Sequence, residues 1–206
     1  MDLSDAAVSI RLPDGSVLED EPWSAASVSR LQTAAPWRPF RWYQGQKHYS
    51  GTYWSSTMRD HVVYESRLEL ARLLYADFDH LVWHIVAQPF LLKAVVDGEI
   101  RRHVPDFLLL TTSGPVIVDV KPQSRRELPA VVATSGWTRE LADAHGWSYE
   151  LPWRTLLHGV RPHHILAAPR PSRPEAALVR EGTPPTTGGC GRPGKSRIGP
   201  SPGRAR

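Results

Sequence analysis

The chain has 206 residues, 41% of them hydrophobic and 22% charged, enough for one domain with a real core plus appendages. No apolar run is long enough to cross a bilayer, the acidic start "MDLSDAAVSI" lacks the layout of a signal peptide, and a lone Cys190 excludes an intramolecular disulfide and a cysteine zinc cage, so a cytoplasmic location is expected. The net charge of +4 is no evidence for a DNA-binding body: residues 169–206 hold eight Lys and Arg against two acidic residues, leaving 17 basic and 19 acidic residues to positions 1–168.

The opening "VSIRLPDGSVLEDEPW" reads as a hairpin around Pro13-Asp14-Gly15, and residues 24–36 show no period. Residues 36–56 interleave seven aromatic side chains with Arg38, Arg41 and Lys47. Such a mixture stacks on bases and pairs with phosphates; without regular spacing it reads first as a segment packed onto the domain. A helix is expected over 64–78, with Leu70, Leu73, Leu74 and Asp77 on one face and Tyr64, Leu68, Ala71 and Tyr75 beside it. That leaves Glu65, Glu69 and Arg72 for the remaining side. Three strands follow as a meander: "LVWHIVAQPFLLKAVV", a turn at Asp97-Gly98, "IRRHVPDFLLL", a turn at Ser113-Gly114, and "PVIVDVK". A second helix is expected over 129–145, weakened by Gly136, and "WSYEL" is a fourth strand. The order helix, three-stranded meander, helix, strand makes a single α/β domain of about 60–155.

Within that domain, Asp106, Asp119 and Lys121 sit among residues that otherwise read as buried strand. Alternation puts Asp119 and Lys121 on one face of the third strand. A short turn brings the segments around 106 and 119 side by side, and the helix start offers Glu65 to the same edge. Two like charges about 4 Å apart repel by roughly 4 kcal/mol at an effective dielectric near 20. A divalent cation turns that penalty into affinity, and an all-oxygen site with room for water and phosphate suits Mg²⁺, with Mn²⁺ as a substitute. A lysine beside it orients or deprotonates an attacking water, or neutralises charge on the phosphate. The residues therefore predict a metal site for phosphodiester hydrolysis.

Written out, Glu65, Pro105-Asp106 and Asp119-Val120-Lys121 form the PD-(D/E)xK nuclease pattern, and the element order matches a restriction-endonuclease-like core, a mixed central sheet with flanking helices. With "YES.LE", "QPF" and "PDF…VDVK", residues 36–150 resemble the TnsA-like endonuclease subunits of heteromeric bacterial transposases. The resemblance implies Glu65, Asp106 and Asp119 as metal ligands, Lys121 as the catalytic lysine, and cleavage of the 5′ strand of double-stranded DNA at transposon ends. It also implies two partners, an integrase-like transposase subunit and an ATPase regulator, and no membrane. Some members carry glutamine where Asp119 stands. Two alternatives are a stand-alone nuclease of the same superfamily in defence or repair, and a catalytically silent DNA-binding remnant.

Other polar residues in these segments have plainer readings. Glu69 reads as a surface charge, and His103 as structural or surface. Gln88 satisfies backbone groups where its strand bends, and the scattered histidines, His163-His164 included, form no zinc pattern. The chain divides into an N-terminal hairpin and arm (1–35), the endonuclease domain (36–155) and a basic tail (156–206). From 169 onward the tail holds eight of the 19 prolines and seven of the 15 glycines, so it is expected to be poorly ordered. Members of the family continue with ordered sequence there, whereas this tail resembles the translation of a GC-rich alternative frame.

Overall fold

A computed structural model describes residues 5–38 and 49–152. The expected tail, His163-His164, Cys190 and the aromatics Phe40, Trp42 and Tyr43 lie outside the described residues. Strands β1 (Ala7–Arg11) and β2 (Val17–Pro22) form the expected hairpin, followed by one turn of helix, α1 (Val28–Leu31). A small ribbon, β3 (Gly51–Ser55) and β4 (Asp60–Tyr64), precedes helix α2 (Arg67–Phe78). Then come β5 (Val82–Ala87), β6 (Leu91–Val96), β7 (Glu99–His103), β8 (Phe107–Thr111), β9 (Gly114–Val118), α3 (Pro129–Ala144) and β10 (Ser148–Glu150).

Each of the first two expected meander strands is broken in two, and the breaks decide the fold. The segment 82–111 is one long antiparallel hairpin whose tip, at Asp97-Gly98, needs positive φ at both residues (52° and 78°). Its outer half, β6 and β7, extends the β1–β2 hairpin into a sheet of order β2-β1-β6-β7. Its inner half, β5 and β8, belongs to a second sheet of order β10-β9-β8-β5, in which β10 runs parallel to β9 and the rest is antiparallel. The hairpin bends at Gln88-Pro89 on one arm and at 104–106 on the other. Asp106 stands at that bend.

The second sheet is covered on both faces, which explains the unbroken apolar runs "FLLL" and "VIV". Leu108, Leu110 and Ile117 face Trp137 and Leu141 of α3, while Phe107, Leu109 and Val118 face Leu73 and Ala76 of α2. The N-terminal hairpin shares the first of these cores through Val8 and Ile10. The architecture is mixed α/β. Helix α3 continues through Gly136, where open space surrounds the missing side chain.

Helix α2 corrects the expected faces. Its buried residues are Glu69, Arg72, Leu73, Ala76 and Asp77, whereas Leu68 is 43% exposed. Charged residues enter a core when each finds a partner. Arg72 Nη2 donates to Glu150 Oε2 at 2.8 Å, tying α2 to β10. Asp77 accepts from Tyr53 Oη, Ser55 Oγ and the backbone N–H groups of Ser56 and Thr57. Residue polarity alone therefore misreports the inward side. No helix among the described residues is long and apolar enough to cross a membrane.

Candidate functional site

The register from Thr111↔Gly114 to Phe107↔Val118 leads, one residue further on each strand, to Asp106 and Asp119. The backbone ladder continues past the strand ends: Asp106 N–H donates to Val118 C=O at 3.1 Å, and Asp119 N–H to Glu150 C=O at 3.0 Å. Both carboxylates are thereby fixed on the lip of the sheet, where they line a cavity of about 420 Å³. Lys121 lines it too, so the structure brings together the three residues of the expected "PD…DxK" constellation.

Each carboxylate is held differently. Asp106 Oδ2 accepts the Val120 N–H at 2.6 Å and Lys121 Nζ at 3.2 Å. Asp119 Oδ2 accepts His103 Nε2–H at 2.7 Å and the Tyr149 hydroxyl at 2.8 Å. Its other oxygen, Oδ1, is buried with no hydrogen-bond partner among the described residues, on a residue only 2% exposed. A buried unsatisfied charged acceptor costs more than the roughly 1–3 kcal/mol of a neutral one, so this atom asks for a cation.

Both glutamates line the cavity, Glu65 as expected and Glu69 against its reading as a surface charge. Glu65 reaches the cavity rim, but its Oε2 accepts Arg38 Nη1 at 2.8 Å, and a third of its side chain is exposed. Glu69 is buried rather than a surface charge. Ser66 caps α2, accepting the Glu69 N–H at 3.2 Å, while Glu69 reaches back to the Glu65 N–H at 2.7 Å and the Ser66 hydroxyl at 2.8 Å. That capping box turns Glu69 toward the start of the helix, into the cavity and into the field of Asp106.

Burial pushes the Glu69 carboxyl above the usual carboxylate range, and the charge of Asp106 pushes it further. Asp106 is likewise raised by burial, which outweighs the ammonium of Lys121. Burial would also raise Asp119, but the hydrogen bond and charge of His103, then Lys121 and Tyr149, bring it below the ordinary value. The Tyr149 phenol is driven upward by burial and by Asp119, so it stays a hydrogen-bond donor. The acidic groups thus split into one carboxylate held below its ordinary value, Asp119, and two held above it, Asp106 and Glu69.

Among the described residues, no three His, Cys, Asp or Glu side chains lie close enough as they stand to hold a metal ion. The carboxylates are turned to internal donors instead. The donor set nevertheless fits a hard divalent cation: Asp119 Oδ1 has no partner among the described residues, and a carboxylate oxygen with one hydrogen bond keeps a lone pair. Asp119, Asp106 and Glu69 are the residues that would hold it. Because a ligating carboxylate must be ionised, Mn²⁺ affinity should fall as pH drops through the raised values of Asp106 and Glu69. The expected slope in calorimetry is about tenfold per pH unit for each proton displaced, beginning above the ordinary carboxylate range. A pH-independent affinity down to that range would contradict these two as ligands.

Sequence reasoning missed Glu69, His103 and Tyr149 as site residues. Glu69 was readable, because Ser66-x-x-Glu69 is a capping-box signature. His103 and Tyr149 were not: they come from two other strands, and only the register brings them to Asp119. Gln88 behaves as expected, satisfying backbone groups at the bend, where its Oε1 accepts the Arg38 N–H at 3.0 Å. No protein-family model matches the chain, and no curated protein matches it in sequence.

Proposed function

We propose that this protein is a divalent-metal-dependent DNA endonuclease with a restriction-endonuclease-like core, acting as the TnsA-like subunit of a heteromeric transposase. The single observation that carries the reading is the meeting of Asp106, Asp119 and Lys121 on one cavity, with Lys121 Nζ 3.2 Å from Asp106 Oδ2. A mixed sheet with α2 on one face and α3 on the other supports the core assignment.

A bound Mg²⁺ or Mn²⁺ would supply Lewis-acid charge to the scissile phosphate and lower the pKa of a bound water. The chain's own residues do the remaining work. His103 and Tyr149 anchor Asp119 by one oxygen and leave the other, unpartnered among the described residues, for the cation it would ligate. Asp106 positions the Lys121 ammonium, which is 31% exposed and therefore open to the cavity. There it orients the attacking water or meets the negative charge that builds on the phosphate oxygens. By the resemblance, the substrate is the 5′ strand at a transposon end, and the partners are an integrase-like transposase and an ATPase regulator.

The test is nicking of supercoiled plasmid, alone and with a cognate transposase. Nicking that needs Mg²⁺ or Mn²⁺ and stops on chelation is expected. Cleavage only with the transposase favours the heteromeric subunit, and efficient cleavage alone favours a stand-alone nuclease. Absence of both cleavage and Mn²⁺ binding would leave the silent DNA-binding reading.

A further inference from the structure

Four non-glycine residues among those described have left-handed backbone, and Gln88, at φ 46°, is the buried one. That conformation costs an L residue free energy and persists only where surrounding contacts enforce it. The contacts at Gln88 have a single geometric result. Its N–H donates to Asp106 C=O at 2.9 Å, its C=O accepts the Trp37 N–H at 3.0 Å, and its Oε1 accepts the Arg38 N–H at 3.0 Å. One strained residue thus fastens segment 37–38 to the backbone of Asp106. The side chain so delivered is Arg38, which lines the cavity beside Glu65 and Glu69.

Arg38 Nη1 lies 2.8 Å from Glu65 Oε2, with the two side chains 52% and 33% exposed. An ion pair that open to water contributes little, so a better anion displaces it readily. A phosphodiester is such an anion: its oxygens take the planar guanidinium fork as a carboxylate does. We propose that Arg38 is a phosphate-binding residue for the DNA backbone next to the scissile bond, held in place by Gln88 as a positioning residue. In the absence of DNA, the Glu65 carboxylate occupies the place of the phosphate. The proposal rests on the nuclease reading and gives Glu65 a role other than metal ligation.

The test is binding of a fluorescent duplex by the full chain in Ca²⁺, followed by anisotropy across a salt series. Arg38→Ala should weaken binding about tenfold and flatten the slope of log affinity against log salt by about 0.9, the signature of one lost phosphate contact. Gln88→Leu, which changes no charge, should produce the same flattening. Glu65→Gln should tighten binding in the wild-type background and have no effect in Arg38→Ala. Additive effects of Arg38 and Glu65 would reduce both to bulk surface charge and overturn the pairing. A Gln88→Leu protein that melts earlier but keeps affinity and slope would overturn its positioning role. If Arg38→Ala binds normally while the wild type still nicks with Mn²⁺, the Arg38 assignment fails and the nuclease reading stands. A wild type that neither binds duplex nor nicks overturns both.

Discussion

Lys121→Met should lower metal-dependent nicking by roughly 10²–10⁴-fold, the range for a positioned acid–base or charge-stabilising group. Calorimetric Mn²⁺ binding should survive or tighten. The sign follows from geometry: Lys121 Nζ sits on Asp106 Oδ2 and competes with a cation for that oxygen. Asp119→Ala separates the roles, because it removes the buried oxygen that has no partner among the described residues and should abolish Mn²⁺ binding together with nicking. A Lys121→Met protein that loses metal binding as well would make the lysine a structural counter-ion rather than a catalytic group. Circular dichroism of both variants guards against simple unfolding, since each residue lies past the last ladder pair of β9 rather than within it.

Asp77→Ala should destabilise the fold by about 3–5 kcal/mol, comparable to breaking a buried charged pair. Asp77 is 2% exposed, and its carboxylate gathers the β3–β4 turn through Tyr53, Ser55, Ser56 and Thr57. Truncation leaves those donors facing a hole. At roughly 2–4 °C per kcal/mol for a chain of this size, the melting temperature should drop by roughly 6–20 °C. The pH dependence has a definite sign. Burial alone would raise Asp77, but the hydrogen bonds from Ser55, Thr57 and Ser56 hold it down to about 2, against an ordinary 3.8. A carboxylate with a depressed folded value contributes stability that is fully present above its unfolded value and is lost as pH falls through the folded one. The wild type should therefore lose stability between about pH 4 and 2, and Asp77→Asn should show a shallower decline there. Equal acid profiles for the two proteins would refute the assignment.

The two glutamates at the start of α2 show why polarity does not stand in for position. Glu65 is expected as a ligand from the motif it shares with Asp106 and Asp119; it precedes the cap, lines the cavity and accepts Arg38 Nη1. Glu69, one turn on, belongs to the capping box that faces the cavity. Helical periodicity fixes which residues share a face, but not which face the rest of the chain will cover. Two charged residues on the buried face, Arg72 and Asp77, are satisfied by partners 78 and about 20 residues away in sequence, and no local pattern contains them.

What the chain determined by itself was everything governed by neighbours. Asp97-Gly98 makes its turn because few other pairs accept two positive φ values, and β8 and β9 pair because a short turn joins two apolar runs. From that pairing alone the register brings Asp106 to Asp119 and Lys121. Tertiary structure decided the rest. It bent the long hairpin at Gln88 and at 104–106, so that one apolar ribbon serves two sheets. It also brought His103 from the end of β7 and Tyr149 from β10 onto a single oxygen of Asp119. Those contacts join segments 16 and 30 residues apart. Their register depends on which faces the helices bury, and local propensity carries no record of it.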